Sequence, residues 1–333
     1  MKAFITGGCG FVGAHTAAAL LEAGHQVFIY DNLSNSYQDA LEALQDISGI
    51  RLPFVHGDIR DGERLLQALK TSGPDVVFHF AALKSISESF EKPLDYYDVN
   101  VSGTVTLLKA MQSCGLKRLV FSSSVAVYPE NSPSPCSESV SSVGAPHPYG
   151  ETKVIIERLL TRLGESKPDL SSVILRFCNP AGAHPSGLLG EKTRQPQGNL
   201  FPRIWQAARG EIPRFEIFGG DYATPDGTAV RDYLHIMDLA EGCVKAGEYS
   251  LRHQGTETFN LGSGRGASVL SVLRSCERAA GRKINFQIVS RRTGDRPEFI
   301  ADPGKAEKIL HWKARKNLDE ICEDAWRYEL HRG

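Results

Sequence analysis

The first 30 residues alternate an apolar run, a glycine-rich turn, a helical pattern and a second apolar run. Met1 to Thr6 predicts a short buried strand, and glycines 7, 8, 10 and 13 follow it. Ala14 to Ala23 is rich in Ala and Leu, which favour helix, and Gly24 ends this pattern. Gln26 to Tyr30 then predicts the next strand. This order is typical of a βαβ unit whose glycine turn and helix N-terminus bind a phosphate.

The alternation continues through the first half of the chain. Further strands are predicted at Leu52 to Val55, Asp75 to Phe80, Arg118 to Phe121 and Val173 to Phe177. Long helical patterns cover Pro93 to Cys114 and Tyr149 to Leu163. We therefore predict an α/β fold, a doubly wound parallel Rossmann sheet with a smaller C-terminal α/β substrate lobe. The predicted sheet domain comprises residues 1–180 with a return segment near 230–262, and residues 181–229 and 263–333 form the lobe.

Length and composition narrow the class of protein. A chain of 333 residues exceeds the roughly 250 to 300 at which a single core stops growing, which favours a second lobe. The balance of 38 basic and 39 acidic residues offers no stripe for nucleic acid. No apolar run reaches membrane-span length and Met1 opens a strand, so we expect a cytoplasmic protein without membrane contact. Seven cysteines without a Cys-x-x-Cys pair predict reduced thiols, and the ten histidines show no metal-ligand spacing.

Tyr149 and Lys153 are the candidate catalytic pair. A helix that begins near Tyr149 places both side chains on one face, one turn apart. A phenol that acts as a base near pH 7 needs its pKa lowered by roughly three units from about 10. We expect the positive charge of Lys153 to lower that pKa. The segment from Ser132 to Pro148, just before this helix, is rich in Ser and Pro and predicts an ordered active-site loop.

Other candidates lie where predicted strands end, which is where doubly wound sheets bind ligands. Asp31 and Asn32 follow the second strand about 20 residues after the glycines, where a carboxylate binds a ribose diol. The stretch from Asp31 to Asp39 contains no Arg or Lys for a 2′-phosphate, which predicts NAD and not NADP. The remaining strand ends carry Gly57-Asp58-Ile59, Ala81-Ala82-Leu83-Lys84 and Ser122-Ser123-Ser124.

These motifs resemble those of the extended short-chain dehydrogenase/reductase superfamily. The resemblance rests on Thr6-Gly7-Gly8-x-Gly10-x-x-Gly13, the Ser124 segment and the Tyr149 to Lys153 motif. Longer stretches resemble its nucleotide-sugar 4-epimerases from end to end, among them Asp31 to Ser36, Pro93 to Tyr97, Gly182 to Gly187, Asp226 to Tyr233 and Arg291 to Asp295. The resemblance implies that NAD stays bound while UDP-glucose and UDP-galactose are interconverted at sugar carbon 4.

The resemblance also implies residue roles. Tyr149 would take the proton of the sugar 4-hydroxyl as hydride leaves carbon 4 for the nicotinamide, and Lys153 would hold the phenolate and the nicotinamide ribose. Ser124 would hydrogen-bond the oxygen at carbon 4. The implied NAD-binding residues are Gly7, Gly10, Phe11, Val12, Gly13, Asp31, Asn32, Asn35, Ser36, Asp58, Ile59, Phe80, Ala81, Ala82, Lys84, Ser122, Tyr149 and Lys153.

The UDP-hexose is assigned a second set of residues by the same resemblance. Asn179, Arg231 and Arg292 would contact the diphosphate, because guanidinium forks suit phosphate oxygens. Asp295 would bind the uridine ribose, and Phe299 would exclude a 2-acetamido group. The full implied substrate set is Lys84, Ser124, Tyr149, Asn179, Asn199, Leu200, Phe218, Arg231, Arg292, Asp295 and Phe299.

Three alternatives stay open. An epimerase of UDP-pentoses or UDP-N-acetylhexosamines would use the same catalytic residues. A nucleotide-sugar 4,6-dehydratase would need an acid and a base after the catalytic Ser, where this chain has Val125-Ala126-Val127. A binding protein without catalysis would be expected to lose Tyr149 or Lys153, and both are present. The resemblance further implies a homodimer formed through the helical patterns Pro93 to Cys114 and Tyr149 to Leu163.

Overall fold

A computed structural model describes residues 1–142, 144–192, 194, 199–292 and 295–332. The strands are β1 (Lys2–Thr6), β2 (Gln26–Asp31), β3 (Phe54–His56), β4 (Val76–His79), β5 (Arg118–Ser124), β6 (Ser171–Phe177), β7 (Asn179–Ala181), β8 (Phe215–Phe218), β9 (Val230–His235), β10 (Gly255–Leu261), β11 (Gly266–Ser268), β12 (Phe286–Val289) and β13 (Glu298–Phe299). The α-helices are α1 (Phe11–Glu22), α2 (Asp39–Ser48), α3 (Gly62–Ser72), α4 (Ile86–Glu91), α5 (Pro93–Tyr96), α6 (Gly103–Ser113), α7 (Pro148–Ser166), α8 (Leu200–Ala208), α9 (Ile236–Ser250), α10 (Val269–Ala280), α11 (Gly304–Ile309) and α12 (Leu318–Arg332).

A seven-stranded parallel sheet with helices on both faces is the largest sheet among the described residues. Its order is β10-β6-β5-β4-β1-β2-β3, so the chain starts in the middle and winds outward in both directions. Helices α1 and α9 cover one face, while α3, α6 and α7 cover the other, and each face has its own buried apolar cluster. Strands buried on both faces need near-continuous apolar runs, as in Phe4 and Ile5 of β1. The predicted α/β class is confirmed.

The C-terminal part of the chain contributes smaller sheets. Strands β11, β9 and β13 form one sheet in which β7 also pairs with β9, and β8 pairs with β12. Helices α8, α10 and α12 enclose a separate apolar cluster around them. In the predicted return segment, β10 is an edge strand of the large sheet and α9 packs against that sheet, while β9 lies in the smaller sheet. The exact division into two domains stays a prediction.

Each predicted strand of the large sheet overlaps an observed one, but the helices differ in two places. Helix α1 begins at Phe11, three residues before the predicted Ala14, because extended Gly10 is its N-cap. The pattern Pro93 to Cys114 is not one α-helix, since a π-helical turn (Tyr97–Ser102) separates α5 from α6. Such turns insert one extra residue and often occur at functional sites.

Two further findings concern membranes and thiols. Within the described ranges, no helix is both long and apolar enough to cross a bilayer. All seven cysteines lie in those ranges, and all are free thiols.

Candidate active site

The glycine turn between β1 and α1 permits close backbone approach. Gly7 has φ of +69°, and a Cβ there would lie 2.6 Å from the Ala81 nitrogen. A Cβ on Gly13 would lie 2.2 Å from the Gly7 carbonyl oxygen. The N-cap Gly10 offers no side-chain acceptor, and the first turn of α1 carries no acidic residue. The first amides of α1, at Phe11 and Val12, are therefore available for a phosphate, and the turn fits the pyrophosphate of a dinucleotide.

Asp31, at the end of β2, organises the neighbouring loop. One carboxylate oxygen accepts the Cys9 amide at 3.0 Å, and the other accepts the Leu33 amide at 2.8 Å and the Ser36 hydroxyl at 2.9 Å. Asp31 therefore holds the glycine turn against the loop after β2. Its contact with a cofactor ribose stays a prediction.

Basic side chains reach the same loop from a distant part of the chain, which the local sequence argument missed. Arg194 donates through Nε to the carbonyl oxygens of Leu33 at 3.1 Å and Ser36 at 3.2 Å, and its amide donates to Asn35 Oδ1 at 3.2 Å. The guanidinium also lies 4.5 Å from the Tyr37 ring centroid. A separation of about 160 residues in the chain hides this contact from inspection of Asp31 to Asp39 alone.

The end of β3 is held by an ion pair that the sequence did not single out. Arg60 donates two hydrogen bonds to Asp58 at 2.9 and 2.8 Å and one to Asp98 at 2.7 Å. Its hydrogen bonds hold the pKa of Asp58 well below the usual carboxyl range. Asn32 donates to the same carboxylate at 2.9 Å, and Ile59 beside it is buried. These contacts join the loops after β2 and β3.

A buried histidine links the ends of β1 and β4 to α6. His79 Nδ1 lies 2.7 Å from the Thr6 hydroxyl, and Nε2 lies 2.9 Å from the Thr104 hydroxyl. Burial, and then the charge of Lys153, lower the pKa of His79 to about 3. The ring is therefore neutral and structural at neutral pH.

Asn100, in the π-helical turn, holds the loop after β4. Its Oδ1 accepts the Leu83 amide at 2.8 Å, and its Nδ2 donates to the Leu83 carbonyl at 3.0 Å and to the Thr152 hydroxyl at 3.1 Å. The loop carries Phe80, Ala81, Ala82 and Lys84, and the Lys84 ammonium lies 3.4 Å from Glu191. Asn100 thus ties this candidate cofactor loop to the helix of Tyr149. The sequence signal for this contact was a polar Asn within the predicted helical pattern Pro93 to Cys114.

Ser124, Tyr149 and Lys153 converge where β5 ends and α7 begins. The His147 ring caps α7 by accepting the Gly150 amide at 2.9 Å, which places Tyr149 in the first turn. Lys153 Nζ donates to the Ser122 carbonyl at 2.7 Å and lies 6.0 Å from the Tyr149 ring centroid. The predicted catalytic residues are therefore neighbours in space, and β5 and α7 position them.

The electrostatics of this pair differ from the expectation. Burial lowers the pKa of Lys153 to about 7, although the negative charge of Glu157 opposes the shift. Burial also raises the pKa of Tyr149 above its ordinary value, against the effect of a hydrogen bond with Ser124. We expected Lys153 to lower the phenol pKa, but desolvation prevails in the protein alone. The site lowers the proton affinity of the amine instead.

Several candidate substrate residues that follow β6 in the chain have polar partners within the protein. Arg231 donates to Asp295 at 2.7 Å and to the Val230 carbonyl at 2.9 Å. The Arg292 guanidinium lies 3.9 Å from the Phe218 ring centroid. Asn179 donates to the Asp232 carbonyl at 3.0 Å, Asn199 donates to Glu191, and Leu200 begins α8. Thr293 and Gly294, which complete the Arg291 to Asp295 stretch, lie outside the described residues.

Phe299 lies in an apolar cluster between the two parts of the protein. The side chain is buried, its ring lies 5.8 Å from that of Tyr128, and the Arg296 guanidinium lies 4.7 Å from its centroid. Cys178 and Ala301 belong to the same cluster. The loop before α7 is anchored nearby, since Cys136 and Ala301 form a β-bridge. Phe299 is thus packed on several sides, and its contact with a sugar stays a prediction.

Comparison with known proteins gives relatives along the whole chain. Residues 3–262 match the NAD dependent epimerase/dehydratase family. UDP-glucose 4-epimerase from Neisseria meningitidis serogroup C is 44% identical over 327 residues, covering 98% of this chain and 96% of the relative.

Two solved structures are similar to this fold. UDP-glucose 4-epimerase from Stenotrophomonas maltophila, with bound NAD and formylated UDP-arabinopyranose, has a TM-score of 0.97 at 42% identity and covers 100% of this chain and 98% of that one. The Bifidobacterium longum enzyme in complex with NAD+ and UDP has a TM-score of 0.96 at 39% identity, with 99% and 98% covered. The chain belongs to the NAD dependent epimerase/dehydratase family.

Proposed function

We infer that this chain interconverts UDP-glucose and UDP-galactose by oxidising and re-reducing sugar carbon 4 with NAD. The observation that carries this conclusion is the convergence of Ser124, Tyr149 and Lys153 at the end of β5, on the same edge of the parallel sheet as the glycine turn after β1. Relatives of that activity match the chain over nearly its full length, at 40 to 44% identity. Net reaction is an isomerisation, so the cofactor must be regenerated within each turnover.

The residues that would hold NAD surround the carboxyl ends of β1 to β5. When bound, NAD supplies a reversible hydride acceptor for carbon 4. The glycine turn and the first amides of α1 would bind its pyrophosphate. Asp31 and Ser36 would face one ribose, while Lys153 and Ser122, which are joined by a hydrogen bond, would face the other. The buried contacts of Asp31 and Asn100 support this assignment because they fix the loops that carry the remaining predicted cofactor residues.

Tyr149 and Lys153 would act as one proton-accepting unit. Two interacting groups lose protons in steps that belong to the pair and not to either residue. Above about pH 7 the pair has lost one proton, because the pKa of Lys153 is about 7. Whether the remaining proton lies on the phenol or on the amine, the pair can accept the proton of the sugar 4-hydroxyl through Tyr149. Ser124 would orient the oxygen at carbon 4, and the same groups return the proton to the epimer.

Inversion requires a firm hold on UDP and freedom for the sugar. Arg231, Arg292 and Asn179 would bind the diphosphate, and Asp295 the uridine ribose. Asn199, Leu200 and Phe218 would lie along the uracil and its linkage. All follow β6 in the chain, while the catalytic residues lie on β5 and α7. This division lets the sugar present either face of carbon 4 to the same catalytic residues.

The direct test is turnover of UDP-galactose by purified protein without an added redox partner. We expect UDP-glucose, identified after chromatographic separation, to accumulate until equilibrium is reached. The protein should be assayed both as purified and after addition of NAD, because loss of NAD during purification would make an active enzyme look inactive. Absence of UDP-glucose under both conditions would refute the proposed function.

A UDP-pentose is the second candidate substrate. The Stenotrophomonas relative, 42% identical, binds a formylated UDP-arabinopyranose. A pentopyranose carries a hydroxyl at carbon 2, as glucose and galactose do, so it makes no additional steric demand near Phe299. Parallel assays with UDP-arabinopyranose and UDP-galactose give kcat/KM for each substrate. A higher kcat/KM for UDP-arabinopyranose would make the pentose the preferred substrate.

We also propose that the chain forms a homodimer. Phe90 on α4 is 61% exposed and Leu94 on α5 is 81% exposed, and both helices pack beside α7. Exposed large apolar side chains in one region are typical of a protein interface. Wild-type protein should sediment with twice the mass of one chain, while Leu94→Glu should sediment as a monomer. A wild-type monomer would refute the proposal.

We propose a cytoplasmic location from the state of the cysteines. All seven cysteines are free thiols, and several are deeply buried. Free thiols are stable in a reducing compartment. Fractionation that places the native protein with an oxidising compartment would contradict this location.

A further inference from the structure

The three serines at the end of β5 have different partners. The Ser122 carbonyl accepts from Lys153 at 2.7 Å, and Ser124 hydrogen-bonds with Tyr149. Ser123 points to neither of these, and its hydroxyl donates to Glu157 Oε1 at 2.5 Å. Both Ser123 and Glu157 are buried, at 2% and 4% exposure. The middle serine is therefore bound to a charged group inside the protein.

Glu157 has further partners that fix its position. Arg176 on β6 donates from Nε to Oε1 at 3.0 Å and from Nη2 to Oε2 at 2.7 Å. Ser142, in the loop before α7, donates to Oε2 at 3.2 Å. The Arg176 guanidinium also lies 4.7 Å from the Tyr128 ring centroid. The carboxylate thus joins α7, β5, β6 and the loop before α7.

This arrangement lies directly behind the catalytic residues. Glu157 follows Lys153 by four residues, or about one helical turn of α7. Ser123 precedes Ser124 by one residue of β5. Two bonds between α7 and the end of β5 therefore stand side by side, one from Lys153 and one to Glu157. The relative position of Ser124 and Tyr149 depends on how firmly these two elements are joined.

We propose that Ser123 and Glu157 are positioning residues, which set the Ser124 hydroxyl against the Tyr149 phenol by joining β5 to α7. This inference rests on the proposed function, since the distance it controls is the one used in proton transfer. Catalytic groups must be held within about 0.5 Å of their productive geometry, and a 1 Å misplacement can lower a rate by about 10²-fold. A buried ion pair that also binds the strand is suited to this purpose, because the low local dielectric strengthens its hydrogen bonds.

The matched test compares Ser123→Ala with Ser172→Ala. Ser123→Ala removes the bond to Glu157 but leaves the carboxylate paired with Arg176, so no charge is left unpaired. Ser172 is an equally buried serine on β6, and its hydroxyl has no hydrogen-bond partner among the residues that the structure describes. Both variants delete one buried hydroxyl. We expect kcat for UDP-galactose to fall roughly tenfold or more in Ser123→Ala only, with KM unchanged.

A second measurement does not depend on turnover. The groups that face Tyr149 are Lys153 and His147 on α7, Tyr96 on α5 and Ser124 on β5. The hydrogen bond with Ser124 lowers the pKa of Tyr149, so a displaced Ser124 should let that pKa rise. NMR of protein with 13C-labelled tyrosine rings should show Tyr149 titrating at higher pH in Ser123→Ala than in the wild type or Ser172→Ala.

The outcomes separate the two claims. An inactive wild type would refute the proposed function, while the Tyr149 titration would still decide the positioning role. Equal kcat in the two serine variants, or an unshifted Tyr149 titration in Ser123→Ala, would overturn the inference. A loss of thermal stability alone would also overturn it, because that result makes the Glu157 contact purely structural.

Discussion

Replacement of Lys153 by Met tests how the site makes a base. Lys153 is 3% exposed, and Met keeps most of the volume and the apolar stem of this lysine but removes its amine. In the wild type, the Tyr149 and Lys153 pair loses its first proton near pH 7. In the variant that proton must leave Tyr149, whose pKa is raised by burial above its ordinary value of 10. The acid limb of the activity profile should therefore move upward.

The size of the effect follows from the two pKa values. The limb moves from about 7 to at least about 10, a shift of three units or about 4 kcal/mol. At pH 7 we expect kcat/KM to fall by roughly 10³-fold, and the remaining activity to rise about tenfold per pH unit up to pH 10. A lysine that served only to bind the cofactor ribose would give a loss independent of pH.

The assay measures kcat/KM for UDP-galactose between pH 5.5 and 10, with NAD saturating at each pH. Lys308→Met is the control, because it makes the same replacement at a lysine that is exposed on α11. Its profile should match that of the wild type. An acid limb that stays near pH 7 in Lys153→Met would refute the reasoning, since another group would then set the proton balance.

Further variants test other parts of the site. Lys153→Met should also raise the free energy of unfolding at pH 7, because the pKa of Lys153 is about 7 in the folded protein and 10.5 in the unfolded chain. For the same reason, the free energy of unfolding of the wild type should rise between pH 7 and 10.5 by up to about 1.4 kcal/mol per pH unit. Urea unfolding of both proteins at pH 7 and 9.5 measures this difference. Tyr149→Phe should lower kcat by roughly 10²- to 10⁴-fold with an unchanged melting temperature, and retained turnover would end its assignment as the base. Gly13→Ala should abolish NAD binding measured by calorimetry, because the new Cβ would lie 2.2 Å from the Gly7 carbonyl oxygen. Phe299→Cys should allow turnover of UDP-N-acetylgalactosamine, although the loss of a buried ring lowers the melting temperature; no gain would remove Phe299 from the specificity argument.

The sequence predicted what depends on local order along the chain. Runs such as Met1 to Thr6 and Gln26 to Tyr30 have the apolar continuity of strands buried on both faces, and their parallel order follows from the helices between them. The glycine turn was predictable because the spacing of Gly7, Gly10 and Gly13 has a steric cause, seen in the close contacts a Cβ would make at Gly7 and Gly13. Helix boundaries were less accurate, since the N-cap of α1 is a glycine without a capping side chain.

Partnerships across the fold could not be predicted in the same way. Arg194 reaches the loop after β2, and Asn100 holds Leu83 while binding Thr152, but these residues are far apart in sequence and each could have been an ordinary polar side chain. The interruption of the Pro93 to Cys114 pattern also depends on tertiary contacts, because the apolar period continues through it.

The direction of the Tyr149 shift was wrong for a related reason. Sequence spacing places a positive charge one turn from the phenol, which predicts a lowered pKa. It does not reveal that both groups are buried, and burial disfavours the ammonium and the phenolate alike. A buried pair responds by giving up one proton near neutral pH, and the neutral pair and the ion pair then have the same number of protons. The pair is ready to accept a proton from the sugar because its total protonation is set, even though neither residue alone has the pKa that the sequence argument required.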